Sequence, residues 1–197
     1  MRKIYCDFDG TITRYDLLDT LIINCLGVEY KNTNEHEILC GKLDHDTYVE
    51  DTFKKIDINF DTALSLLIDP IEPSFKNFFH KCKSDGIDVY IISSGFQEFI
   101  NHFLPYVPRE QIFANNVNVS GNKWEVKIWP GSKHDIIKEL HDGGDVIYIG
   151  DGISDFEMAK SADKLFVKGN SDLELYCIKE QIQHRIFNSF DIINEFL

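Results

Sequence analysis

The 197-residue chain reads as an α/β fold built on a parallel sheet, with a helical insertion after the first strand. Three apolar runs, Ile4-Tyr5-Cys6, Ile87 to Ile92 and Val146 to Ile149, each end in a polar turn that carries glycine. Strand, glycine-bearing turn, then helix is the α/β pattern. Between the first two runs, from Tyr15 to about Ile71, apolar residues recur instead at three- and four-residue spacing, which is helical.

Taken in order, residues 2 to 8 form a buried first strand that runs into Asp7-Phe8-Asp9-Gly10-Thr11. Side chains alternate along an extended segment, so Asp7 and Asp9 share a side and Phe8 points away. In the helical block, Leu17, Leu18, Leu21, Ile22 and Cys25 make one stripe, and Tyr48, Thr52, Phe53 and Ile56 another. A third piece covers Asp61 to Ile68. Between Asp16 and Glu72 the block carries thirteen acidic residues against four lysines and no arginine, an imbalance that a solvated face explains.

Pro73 opens the next helix, Gly86 stops it, and Phe75, Phe78, Phe79 and Cys82 form its apolar stripe. The strand from Ile87 to Ile92 ends at Ser93-Ser94-Gly95, and Gln97 to Leu104 return to helical spacing. Gln111 to Val119 and Lys123 to Trp129 alternate around Ser120-Gly121-Asn122, which predicts a hairpin lying outside the main sheet.

Ser132 to Leu140 form a short helix with Lys133 in its first turn, where the helix dipole disfavours a cation. Such a lysine is either aimed at an anion or solvated. The third strand ends in Gly150-Asp151-Gly152-Ile153-Ser154-Asp155. Ser154 and Glu157 have capping-box spacing, so the next helix begins at about Ser154. That puts Asp151 in the turn and Asp155 in the first helical turn. Leu165 to Val167 make a last short strand, Ser171 to Ile178 a capped helix, and Ser189 onward an amphipathic tail.

Composition bounds the function. A net charge of −13 argues against nucleic acid, whose backbone is bound by clustered lysine and arginine. It does not exclude a small anionic substrate, because a bound cation and a few aimed donors reverse the field inside a cleft. Met1-Arg2-Lys3 runs straight into a core strand, leaving no room for the apolar part of a signal peptide, and no apolar run reaches membrane-spanning length. Five cysteines without a CxxC pair read as reduced thiols, so the expected location is cytoplasmic. Oligomeric state, a homodimer included, is left open.

The polar turns lie just past the carboxyl ends of parallel strands, where open sheets bind ligands. Asp7, Asp9, Asp151 and Asp155 would repel one another there without a hard divalent cation such as Mg²⁺, which takes oxygen ligands. Asp7 can attack phosphorus, and Asp9 can protonate the leaving oxygen and then activate water. Ser93 Oγ, the Gly95 N–H and the Lys133 ammonium can hold phosphate oxygens, with Ser94 beside them.

These motifs resemble the haloacid-dehalogenase superfamily of phosphatases: DFDGT at 7–11, Ser93-Ser94-Gly95-Phe96, Lys133, and GDGISD at 150–155, in that order. The resemblance implies a Rossmann-like core over residues 1–14 and 73–197 and a helical cap over 15–72, in the phosphoserine-phosphatase-like branch. It implies Asp7 as nucleophile, Asp9 as acid/base with its backbone carbonyl on Mg²⁺, Asp151 as a further metal ligand, and Asp155 supporting the metal directly or through water. Asp7-Phe8-Asp9-Gly10-Thr11-Ile12-Thr13 and Trp129-Pro130 are similar to the methionine-salvage phosphatases that act on a methylthio-enol phosphate. Asp16, nine positions after the nucleophile, matches the acidic position that contacts the substrate amine in phosphoserine phosphatases. The cap offers no arginine for a serine carboxylate, and an acidic cap also suits phosphoethanolamine or phosphocholine. The expected activity is therefore a phosphomonoesterase on a small-molecule ester. A phosphotransferase or mutase on the same scaffold, or a catalytically silent phosphate-binding regulator, stands as the alternative.

Overall fold

The computed structural model describes residues 2–196. Seven strands form one sheet: β1 (Arg2–Cys6), β2 (Ile87–Phe96), β3 (Ile112–Ser120), β4 (Lys123–Lys127), β5 (Ile147–Gly150), β6 (Lys164–Lys168) and β7 (Arg185–Phe187). Their order is β4-β3-β2-β1-β5-β6-β7, and every neighbouring pair is parallel except β3 with β4. The first strand is central. The chain leaves it to β2 on one side and β5 on the other, so the crevice of the sheet opens at the end of β1.

Strict alternation explains why the central strands are buried on both faces. Ile4, Cys6, Ile147, Ile149 and Phe166 pack on one side with α5 (Phe75–Ser84) and α10 (Phe190–Asn194). Tyr5, Tyr148, Leu165 and Val167 pack on the other with α7 (Lys133–Leu140), α8 (Phe156–Ser161) and α9 (Asp172–Lys179). A sheet covered on both faces reads as continuous apolar runs, which is how these strands were legible.

The inserted block is four helices: α1 (Leu17–Leu26), α2 (Val28–Leu39), α3 (His45–Phe53) and α4 (Phe60–Leu66). Gly27, at φ 91°, separates the first two in a conformation that a side chain would disfavour. At the neck, Thr13 bridges Ile71 antiparallel, Arg14 N donates to Pro70 O at 2.7 Å, and Glu72 N donates to Ile12 O at 2.9 Å. The block also leans on the sheet's edge: Trp124 of β4 is buried, meets Phe53 at 5.5 Å between ring centroids, and donates its indole N–H to Ile58 O at 2.7 Å.

Four sequence expectations are corrected. The hairpin does not lie outside the sheet: Ile112, Phe113 and Asn115 pair parallel with β2, and only the rest of β3 pairs with β4. The second strand does not stop at Ile92 but continues to Phe96, its register against β3 shifting between those residues. Ser154 does not cap the helix after β5. A 3-10 turn over Ile153–Asp155 intervenes, because the Asp155 carboxylate reaches back to accept from the Asp151 and Gly152 N–H groups. The helix after Pro73 starts at Phe75, two residues later than the proline. All five cysteines are free thiols.

Candidate active site

Asp7 follows directly on β1, and its N–H donates to Ile149 O at 2.9 Å, which ties it to the end of β5. The chain then turns back: Ile12 N and Thr13 N both donate to Phe8 O, and Gly10 N donates to Thr13 Oγ1 at 2.8 Å. Gly10 has φ 76°, and a Cβ there would run into the Asp151 carboxylate. Gly95 likewise makes room for the carboxylate of Asp9. Gly150 does the same for the carboxylate of Asp155, so glycine at these three positions makes room for three of the crowded acidic side chains.

Lys133, the first residue of α7, is buried between two of them. Its Nζ lies 2.8 Å from Asp7 Oδ1 and 2.6 Å from Asp155 Oδ1. The helix dipole problem is thereby answered locally, since the ammonium points away from its own helix into a negative cluster. Ser132 and Asp135 cap that helix reciprocally, which fixes where the lysine emerges. Asp155 is fully engaged: Oδ1 also accepts from Tyr148 Oη at 2.5 Å, and Oδ2 from the N–H of Asp151 at 2.9 Å and Gly152 at 3.0 Å. Asp151 Oδ1 accepts from Thr11 Oγ1 at 2.5 Å.

On the other side of the crevice, Asp9 Oδ1 accepts from Leu17 N at 3.2 Å, the first residue of α1. Ser93 Oγ donates to Asp9 Oδ2 at 3.3 Å and accepts from Gly95 N at 2.9 Å. Asn115 Nδ2 donates to Ser94 O at 2.7 Å while its Oδ1 accepts from Trp129 N, so β3 pins the serine turn. Asp7, Asp9, Asp16, Ser93, Ser94, Gly95 and Asp151 all line one cavity of about 530 Å³, roofed by α1, α2 and α3. Asp16 there also caps α1, accepting from Asp19 N at 2.8 Å. Trp129 packs edge-on against Phe113.

The electrostatics follow from burial. Desolvation pushes Asp7 well above the usual carboxylate range, opposed by Lys133 and reinforced by Asp155 and Asp151. Asp9 is pushed well up by burial and then by Asp16. Asp151 rises to about 7, through burial first and Asp155 second, and Asp16 to about 6 through burial and Asp19. Against the downward pull of burial, Asp155 and Asp7 hold the Lys133 ammonium above its ordinary value.

Carboxylates pushed up by burial and by one another call for a cation. Asp7, Asp151 and Asp155 bring one oxygen each within 4.8 Å of one another. Asp7 Oδ1 is buried and faces the Lys133 ammonium at 2.8 Å. An all-oxygen donor set gathered this closely fits a hard divalent ion. The sequence missed Thr11, Tyr148 and Asn115 as supports of this site. Their signal was present only as position, beside Gly10, two residues before Gly150, and on a strand thought to lie elsewhere.

Residues 2–163 match the family model of the haloacid dehalogenase-like hydrolases. The chain is 30% identical to the Pdp3-interacting factor 1 of Schizosaccharomyces pombe, over 98% of this chain and 93% of that protein. It is 31% identical to a 2-hydroxy-3-keto-5-methylthiopentenyl-1-phosphate phosphatase of Bacillus cereus, over 95% and 92%. Its fold superimposes on a phosphoserine phosphohydrolase-like protein from Francisella tularensis with a TM-score of 0.75, at 22% identity and full coverage of both chains.

Proposed function

We propose, from the premise that this chain belongs to the haloacid dehalogenase-like hydrolases and is a phosphatase, that it hydrolyses a small-molecule phosphate monoester through an aspartyl-phosphate on Asp7. The observation that carries the reading is the convergence of Asp7, Asp9, Ser93 and Asp151 on one roofed cavity, with Lys133 buried against Asp7. An Asp7 oxygen attacks phosphorus as the bond to the leaving oxygen breaks, and Asp9 gives that oxygen its proton. Water then attacks the same phosphorus, Asp9 takes the water's proton, and the bond to Asp7 breaks. Lys133 and the Ser93 hydroxyl hold phosphoryl oxygens, with the Gly95 N–H orienting the serine, and Ser94 borders them.

Asp7, Asp151 and the Asp9 backbone carbonyl would hold Mg²⁺, which when bound neutralises charge on the phosphoryl group. Asp155 supports that centre through Lys133 and the turn of Asp151, its own oxygens being engaged. The cap boundary at residues 15 and 72 is supported by the Thr13–Ile71 bridge at the neck.

Of the esters considered, a methylthio-enol phosphate is favoured. The cap side of the cavity is walled by Ile22, Ile38, Val49 and Phe53, which suit an apolar arm, and the Bacillus cereus relative carries that substrate in its name. Phosphoserine is disfavoured because the cap lysine on the wall, Lys31, is already paired with Asp19 and Glu35. Asp16 remains the proposed contact for any amine.

Phosphate release from a panel of esters, with and without Mg²⁺ and with Asp7→Asn alongside, tests the reading. The panel holds the enol phosphate, phosphoserine, phosphoethanolamine, phosphocholine and p-nitrophenyl phosphate. Metal-dependent turnover that vanishes in the variant is the expected result. Transfer of the phosphoryl group to an added alcohol in place of water would favour a phosphotransferase. No turnover on any ester by the folded, metal-loaded protein would overturn the assignment.

A further inference from the structure

Asp19 of α1 and Lys31 and Glu35 of α2 form one charged cluster on the cap side of the cavity. Lys31 Nζ lies 3.1 Å from Asp19 Oδ2 and 2.9 Å from Glu35 Oε2. The lysine side chain is only 19% exposed, while the two carboxylates are 37% and 39% exposed. Two of the ammonium's three protons are therefore committed, and the cluster as a whole is negative. With Asp16, the cap presents three carboxylates to the cavity against Lys31 and His45. α2 meets the core only through half-buried side chains such as Tyr30 and Ile38, and its lysine turns toward the cavity between two carboxylates. An i,i+4 pair on a helix is worth little as a stabiliser.

We propose that Asp19, Lys31 and Glu35 determine specificity for the leaving group: by masking the cap lysine they admit uncharged alcohols and enols and reject leaving groups that carry an anion. The inference rests on the phosphomonoesterase reading and deepens it. A leaving group bearing a carboxylate or a second phosphate would have to displace Asp19 or Glu35 from Lys31 and then lie beside the displaced acid. Like charges placed together are a standard means of refusing the wrong partner. An uncharged oxygen meets no such repulsion and can still accept the third Lys31 proton.

The test compares kcat/KM for two esters of similar size, 2-hydroxyethyl phosphate and phosphoglycolate, whose leaving groups differ in charge. The wild-type protein prefers the uncharged one. Asp19→Asn and Glu35→Gln each unmask Lys31, and each narrows the preference by about tenfold, the partial exposure of the cluster keeping the effect modest. Lys31→Met leaves the acids alone on the wall and widens it. If Asp19→Asn fails to fold because α1 depends on it, Glu35→Gln and Lys31→Met still move the ratio in opposite directions. A ratio unchanged within twofold in the folded variants, or narrowed by Lys31→Met, overturns the proposal. Hydrolysis of p-nitrophenyl phosphate by the wild type separates the two failures. Turnover with an unmoved ratio overturns this inference alone, and absence of any turnover overturns the phosphatase reading and the inference with it.

Discussion

Lys133 shows how much one buried side chain holds. It is the cation between Asp7 and Asp155, and the shell around Asp155 is built from Tyr148 and two backbone N–H groups. Removing one partner of a buried ion pair strands the other charge. Lys133→Met should therefore cost about 3 kcal/mol in urea unfolding as well as abolish turnover. Lys133→Arg should not restore activity, since the planar guanidinium cannot occupy a site shaped for an ammonium. Gly95→Ala tests the opposite side of the crevice. Its Cβ would meet the Asp9 carboxylate, so kcat should fall about a hundredfold from a displacement of an ångström, with the circular dichroism spectrum unchanged.

At the scale of elements, the cap is anchored at two places with different chemistry. The neck is backbone pairing at Thr13 and Ile71. The second anchor is β4, whose Trp124 packs against Phe53, Phe60 and Phe99 and donates to Ile58 O. Trp124→Ala removes the aromatic filling and leaves a half-buried carbonyl without its donor. It should cost about 3 to 5 kcal/mol and raise KM more than it lowers kcat, as measured by denaturation and steady-state kinetics. Asp9 ties the same cap to the chemistry from below through Leu17 N, at the start of α1.

For the whole molecule, the acidic site makes stability depend on pH and metal together. Asp151 and Asp16 have folded-state values raised to about 7 and about 6, above the ordinary carboxylate value near 3.9. A raised carboxylate contributes stability that is fully present below the unfolded value and is lost as pH rises through the folded one. The metal-free protein should therefore lose melting temperature as pH rises from about 4 to about 7. Exposed carboxylates held low, such as Asp85 beside Lys81, titrate beneath that window. Mg²⁺ should reverse the loss, raising Tm more at pH 8 than at pH 5, because it binds the ionised carboxylates of the native state. A melting series with and without chelator checks both signs. Among the described residues, no helix is long and apolar enough to cross a membrane.

The sequence by itself determined the α/β class, the insertion after the first strand, and the polar residues at the strand ends. Those features are written in local terms: continuous apolar runs around Ile4 and Ile147, helical spacing around Leu17, and glycine-bearing turns after each run. Short or shared elements were not legible. Three-residue β7 gives no periodicity to read, and β3 pairs with two different neighbours along one run, so alternation identified a hairpin but not its place at the sheet edge. Tertiary structure alone decided that Lys133 lies between Asp7 and Asp155, that Thr11 and Tyr148 hold the carboxylates, and that Lys31 lines the cavity already paired. The physical reason is that hydrogen-bond and charge partners far apart in sequence leave no periodic trace, whereas burial of a strand or helix face does.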